Sequence, residues 1–101
     1  MTVLDLLPDA LPELIELRRH LHAHPELSGE EHQTAALVAG ELKRIGWRVR
    51  EGVGRTGVLA ELGPSHGPTV GLRVDMDALP VEECTGLSYA STTQGVMHAC
   101  G

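Results

Sequence analysis

The sequence predicts an α/β fold in which two helices are followed by three strands of a mixed sheet. Three observations carry this reading. Apolar residues recur at helical spacing over 11–23 and again over 28–45. Short apolar or alternating runs follow at 47–53, 58–62 and 69–74. Glycine and proline clusters separate these runs. Hydrophobic residues make up 42% of the 101, enough for a core. There is no Phe, and Trp47 and Tyr89 are the aromatic residues, so that core must be built from Leu, Val, Ile and Ala.

The first helix is expected over 11–23, where Leu11, Leu14, Ile15, Arg18 and Leu21 follow the i, i+3, i+4, i+7 rule. Pro12 suits a first turn and Asp9 a cap before it. Pro25 ends the run by biasing His24 away from helical geometry. The second helix is expected from Ser28, which has capping-box spacing to Glu31. Its apolar face is Ala35, Val38, Ala39, Leu42 and Ile45, and Gly46 is placed to end it in left-handed geometry. Trp47–Val53 then alternates as a half-buried strand does. The turn Gly63-Pro64-Ser65-His66-Gly67-Pro68 predicts a hairpin between Val58–Leu62 and Thr69–Val74. Residues 75–101 lack periodicity and read as loop with at most a short helical turn. Two helices cover only one face of three strands, leaving the other face and a sheet edge open. Residues 1–101 are therefore expected to be the first part of a larger, truncated domain.

A net charge of -6 argues against a nucleic-acid groove, and the Lys and Arg residues are scattered apart from Arg18-Arg19 and Lys43-Arg44. No segment approaches the roughly 20 apolar residues of a membrane span. The N-terminus shows no basic leader, and Cys84 and Cys100 do not form a C-x-x-C pair. Reduced thiols and a cytoplasmic setting are expected, in preference to a disulfide between the two.

Chemistry-bearing residues concentrate late in the chain. Asp75 and Asp77 follow an apolar run at the carboxyl end of a predicted strand, where open α/β sheets bind ligands. Alternation points both carboxylates the same way, so a cation or hydrogen-bond donors must offset their repulsion. The bland alternative is an Asp turn or a helix cap. Cys100, in Met97-His98-Ala99-Cys100-Gly101, is either a small buried hydrophobe or a thiolate metal ligand. His98 is a ligand, a supporting donor or an ordinary polar residue. His20 and His24 have i, i+4 metal spacing but sit at a helix end before Pro25, where histidine is favourable for structural reasons. Glu82 and Glu83 could supply a base and a ligand, but read as solvated loop residues. Cys84 reads as structural, and His32 and His66 as surface residues.

Taken in order, these pieces resemble the M20 metallopeptidase superfamily, and more narrowly its amidohydrolase branch of hippurate and N-acyl-amino-acid amidohydrolases. The resemblance rests on residues 18–27 (Arg-Arg-His-Leu-His-Ala-His-Pro-Glu-Leu), Thr56-Gly57-Val58, Gly67-Pro68, Leu72–Pro80 and Gly95–Gly101. It implies the N-terminal portion of a metallopeptidase catalytic domain, the remainder and a lid domain lying beyond these residues. It implies two divalent metal ions, zinc, manganese or similar. It makes Cys100 a metal ligand and Asp77 the candidate catalytic carboxylate that supports the site. Asp75 falls where relatives carry a ligand histidine, and His20–His24 match the pattern without being ligands. The next ligand histidine, the catalytic Glu pair and later histidines would follow Gly101. The implied reaction is hydrolysis of the amide of a small N-acyl amino acid or peptide, with no nucleic-acid or membrane partner and room for a homodimer in the full-length protein. The 101 residues alone are expected to be inactive. A non-catalytic interaction module, or a thiol protein using Cys84 and Cys100, are the rival classes.

Overall fold

The computed structural model describes residues 1–100 and contains α1 (Val3–Ala23), α2 (His32–Arg44), β1 (Arg48–Val53) and β2 (Gly57–Glu61). The α/β order of helix, helix, strand, strand agrees with the sequence. No described helix is long and apolar enough to cross a membrane.

Helix α1 starts well before residue 11. The Asp5 carboxylate accepts from the Thr2 amide at 2.6 Å and from its hydroxyl at 3.0 Å, closing the first turn. Pro8 and Pro12 lie inside the helix. Each lacks the amide that would serve the carbonyl four residues back. This stretch is exposed, so water can serve those carbonyls, and the prolines do not stop the helix.

Helix α2 starts at His32, four residues after the expected Ser28. The carboxylate of Glu26 caps it, accepting from the amides of Gln33 at 3.1 Å and Thr34 at 2.6 Å. Glu31 turns elsewhere, accepting from the Gly29 amide and the Thr56 hydroxyl, and so ties the start of α2 to the turn before β2. At the far end Gly46 takes φ +94°, the left-handed geometry expected of it. Thr34, Ala35 and Ala39 are the buried residues of α2, which packs on both strands.

The sheet differs from the expectation of three strands. β1 and β2 pair antiparallel, with Arg48 opposite Glu61, Val49 opposite Ala60 and Arg50 opposite Leu59, and a bulge before Val53 meets Gly57. Gly52 (φ +70°), Gly54 (φ +58°) and Arg55 (φ +91°) make the tight turn that closes this hairpin. Residues 69–74 have no strand partner, and Val70 and Leu72 are 95% and 91% exposed. The pattern that suits a strand is present there, but no described backbone hydrogen-bonds to it. The sheet is thus two-stranded and antiparallel, not mixed.

Residues 75–100 are irregular, as expected, and are held by two isolated bridges. Leu27 pairs parallel with Ala78, and Leu79 pairs antiparallel with Met97. The buried apolar core is thin, consisting of Ala35, Ala39 and Ala78. The radius of gyration is 15.5 Å, against about 13 Å for a compact domain of this length.

Candidate metal centre

The Leu79–Met97 bridge brings the Asp-Met-Asp-Ala-Leu-Pro segment beside the Met-His-Ala-Cys segment. Each residue's amide donates to the other's carbonyl, at 2.9 and 3.1 Å. The first of these segments is fixed in turn to the loop after α1, because the Ala78 amide donates to the Glu26 carbonyl at 2.8 Å. Glu26 therefore caps α2 with its carboxylate and anchors the residue after Asp77 with its backbone.

Asp77 is half-buried, next to fully buried Ala78. Asp75 is exposed and paired with Arg73 at 2.9 Å. This exposed pair involves Asp75 alone, and Asp77 lies in a more buried setting. Cys100 is an exposed, free thiol, so it is not the buried hydrophobe of the bland reading. Cys84 is also exposed and free, which corrects its reading as a structural residue and leaves no disulfide between the two.

His98 is half-buried, and its Nε2 is buried without a hydrogen-bond partner. Burial pushes its pKa below the ordinary value, and the neighbouring His22 adds to this, while Asp77 pulls the other way. His20 and His24 stack with centroids 4.4 Å apart, and the His24 ring bonds the His20 carbonyl at 2.8 Å. This is the structural role expected at a helix end. His32 and His66 are exposed, as read.

Glu83 departs from its reading as a solvated residue. Its side chain is 4% exposed and accepts from His22 Nε2 at 2.8 Å, from the Ser91 amide at 2.9 Å and from the Thr85 hydroxyl. These donors, the Thr85 hydroxyl foremost, hold its carboxyl below the usual carboxylate range. A carboxylate only accepts, so His22 Nε2 carries the proton. The His22 ring meets Tyr89 edge-on at 5.8 Å, and the Arg19 guanidinium lies 4.8 Å over the same Tyr89 ring. Glu82 is exposed but accepts from the Gly95 amide. Sequence reasoning missed His22 and Glu83 as partners because 61 residues separate them.

Among the described residues no three His, Cys, Asp or Glu side chains converge as a metal cage. The donor types suit zinc and the Cys100 sulfur is exposed, so these residues fit a metal by donor chemistry and do not close a site by themselves.

No protein-family model matches the chain. The N-acetyl-L-cysteine deacetylase of Bacillus subtilis is 53% identical over 90 residues, which are 88% of this chain and 22% of that protein. The hippurate hydrolase of Campylobacter jejuni is 45% identical over 102 residues, 97% of this chain and 27% of its own length. Among solved structures, the Bacillus subtilis YxeP protein, a dinuclear metal binding peptidase from the M20 family, superposes with a TM-score of 0.82 at 42% identity. That match covers 89% of this chain and 26% of YxeP. The chain thus spans about a quarter of the length of the relatives it matches. Motifs, backbone and relatives agree that the chain is similar to part of the M20-family amidohydrolases.

Proposed function

We propose that these residues form the N-terminal part of the catalytic domain of a dinuclear metal amidohydrolase that cleaves the amide of small N-acyl amino acids. The observation that carries the reading is the Leu79–Met97 pairing, which sets the Asp77 segment against the segment bearing the exposed Cys100 thiol. In this reading Cys100, as thiolate, would hold a divalent ion such as zinc or manganese. Asp77 would orient the site by its charge, acting on neighbouring groups as it acts on His98. When bound, divalent ions supply Lewis-acid polarisation of the amide carbonyl and acidification of water. The chain matches about a quarter of its relatives' length, so in this reading the catalytic base and remaining ligands would come from the other parts of such a protein, and residues 1–101 alone are expected to be inactive.

The test is a chimera in which residues 1–101 replace the matching segment of the Campylobacter jejuni hippurate hydrolase. A folded chimera is expected to hydrolyse hippurate, and Cys100→Ala is expected to abolish this. Activity indifferent to Cys100→Ala would contradict the reading. So would metal-dependent turnover by the isolated chain that survives repurification and is lost on Cys100→Ala, since the isolated chain is expected to be silent.

A further inference from the structure

The Glu83 carboxylate accepts three hydrogen bonds in the irregular part of the molecule, and no step of the proposed chemistry calls on it. It receives His22 from α1 on one side and Ser91 and Thr85 from its own loop on the other. Thr92, next to Ser91, binds the Ala23 carbonyl twice, by amide at 2.9 Å and hydroxyl at 2.8 Å. The Ser91 hydroxyl then donates to the Val96 carbonyl at 2.6 Å. Val96 precedes Met97, which pairs with Leu79. A continuous path of hydrogen bonds therefore runs from the C-terminal turn of α1 through Glu83 and Ser91 to the bridge beside Asp77, His98 and Cys100. Glu83 is also the acidic group of this path, with its side chain 4% exposed and its His22 partner 11% exposed, so water does not substitute for the bonds it makes.

We propose that Glu83 is a positioning residue for the metal-facing segment: clamped by His22, it fixes the 91–97 turn so that Met97 meets Leu79 and Cys100 is presented beside Asp77. The assignment to a metal-facing segment rests on the reading of Cys100 given above, whereas the positioning of Met97 does not. Losing the carboxylate leaves the His22 ring proton and the Ser91 amide without an acceptor in a nearly closed site. Glutamine keeps an acceptor oxygen for both and presents its amino group to the Thr85 hydroxyl, so it conserves the clamp.

The test uses the full 101-residue chain with two readouts. The first is amide hydrogen exchange at Leu79 and Met97 in the presence of a chelator, which is independent of any metal. Glu83→Ala is expected to speed exchange at both amides by about ten-fold, the loss of a hydrogen bond or two, while β1, β2 and α2 amides keep their rates. Glu83→Gln is expected to restore protection. The second is zinc protection of Cys100 against alkylation, with Cys84 as the internal reference. Glu83→Ala is expected to remove it and Glu83→Gln to keep it. If Glu83→Ala unfolds the chain, His22→Ala decides, since it removes the Glu83 tie to α1 while leaving the Thr92–Ala23 bonds and the Glu83 bonds to Ser91 and Thr85, and it is expected to speed Leu79 and Met97 exchange in the same sense. Unchanged exchange at Leu79 and Met97 in Glu83→Ala, or in His22→Ala where that variant decides, overturns the proposal. Zinc that never protects Cys100, even in the unaltered chain, would refute the metal reading alone and leave the exchange result to judge Glu83.

Discussion

Leu79 and Met97 exchange both main-chain hydrogen bonds, each amide donating to the other's carbonyl. They come from segments 18 residues apart, and among the described residues no other strand flanks them. This pair joins the Met97 segment to the Asp77 segment, alongside the Gly95 amide that donates to Glu82. Removing one donor of the pair should weaken that join. Met97→Pro is expected to lower stability by about 1–3 kcal/mol, the range for leaving a partly buried carbonyl unmet. Thermal unfolding followed by circular dichroism measures this, and an unchanged melting curve would show that the bridge contributes nothing.

Glu26 predicts an acid limit to stability. Burial alone would raise its pKa, but hydrogen bonds from Thr34 and the Gln33 amide outweigh that and lower it below 4.5. The unfolded chain therefore takes up this proton first as pH falls. The Glu26 contribution is complete above pH 4.5 and is lost as pH drops through the lower folded value. Glu26→Ala is expected to cost about 1 kcal/mol near neutral pH, as loss of a helix cap does, and to flatten that part of the acid dependence. Denaturant melts at a series of pH values check both.

Two glycines predict opposite signs. A Cβ on Gly57 would run into the Val53 carbonyl oxygen, in the bulged turn where β1 meets β2. Gly57→Ala is expected to destabilise the hairpin by about 1–3 kcal/mol. Gly40 lies inside α2 with open space where its Cβ would go. Gly40→Ala is expected to stabilise by about 0.5–1 kcal/mol, by removing backbone freedom from the unfolded chain. Equal effects of the two changes in urea unfolding would contradict this account of both sites.

The parts of the fold legible in the sequence are those written in local pattern. Both amphipathic helices, the first two strands and the left-handed Gly46 follow from residues close together. Where contacts from afar decide, the pattern misleads. Ser28 and Glu31 have capping-box spacing, yet the carboxylate that caps α2 is that of Glu26. Pro12 suits a first turn, yet it lies inside α1, because an exposed helix tolerates Pro8 and Pro12 once Thr2 and Asp5 close its first turn. Thr69–Val74 has the composition of a strand, but a strand exists only with a partner, and its neighbours in sequence pair elsewhere. At the site, Asp77 and Cys100 stand out by motif. Glu83 does not, because its value lies in a histidine 61 residues away.

The account depends most on the terminal thiol facing a metal. The direct measurement is alkylation of the two free thiols by mass spectrometry, with and without zinc, in the unaltered chain. Both are exposed, so Cys84 reports ordinary reactivity. Zinc is expected to slow labelling of Cys100 several-fold while Cys84 labels at its usual rate, and Asp77→Ala is expected to weaken that protection. Equal slowing of the two thiols, or slowing of Cys84 alone, would contradict the assignment.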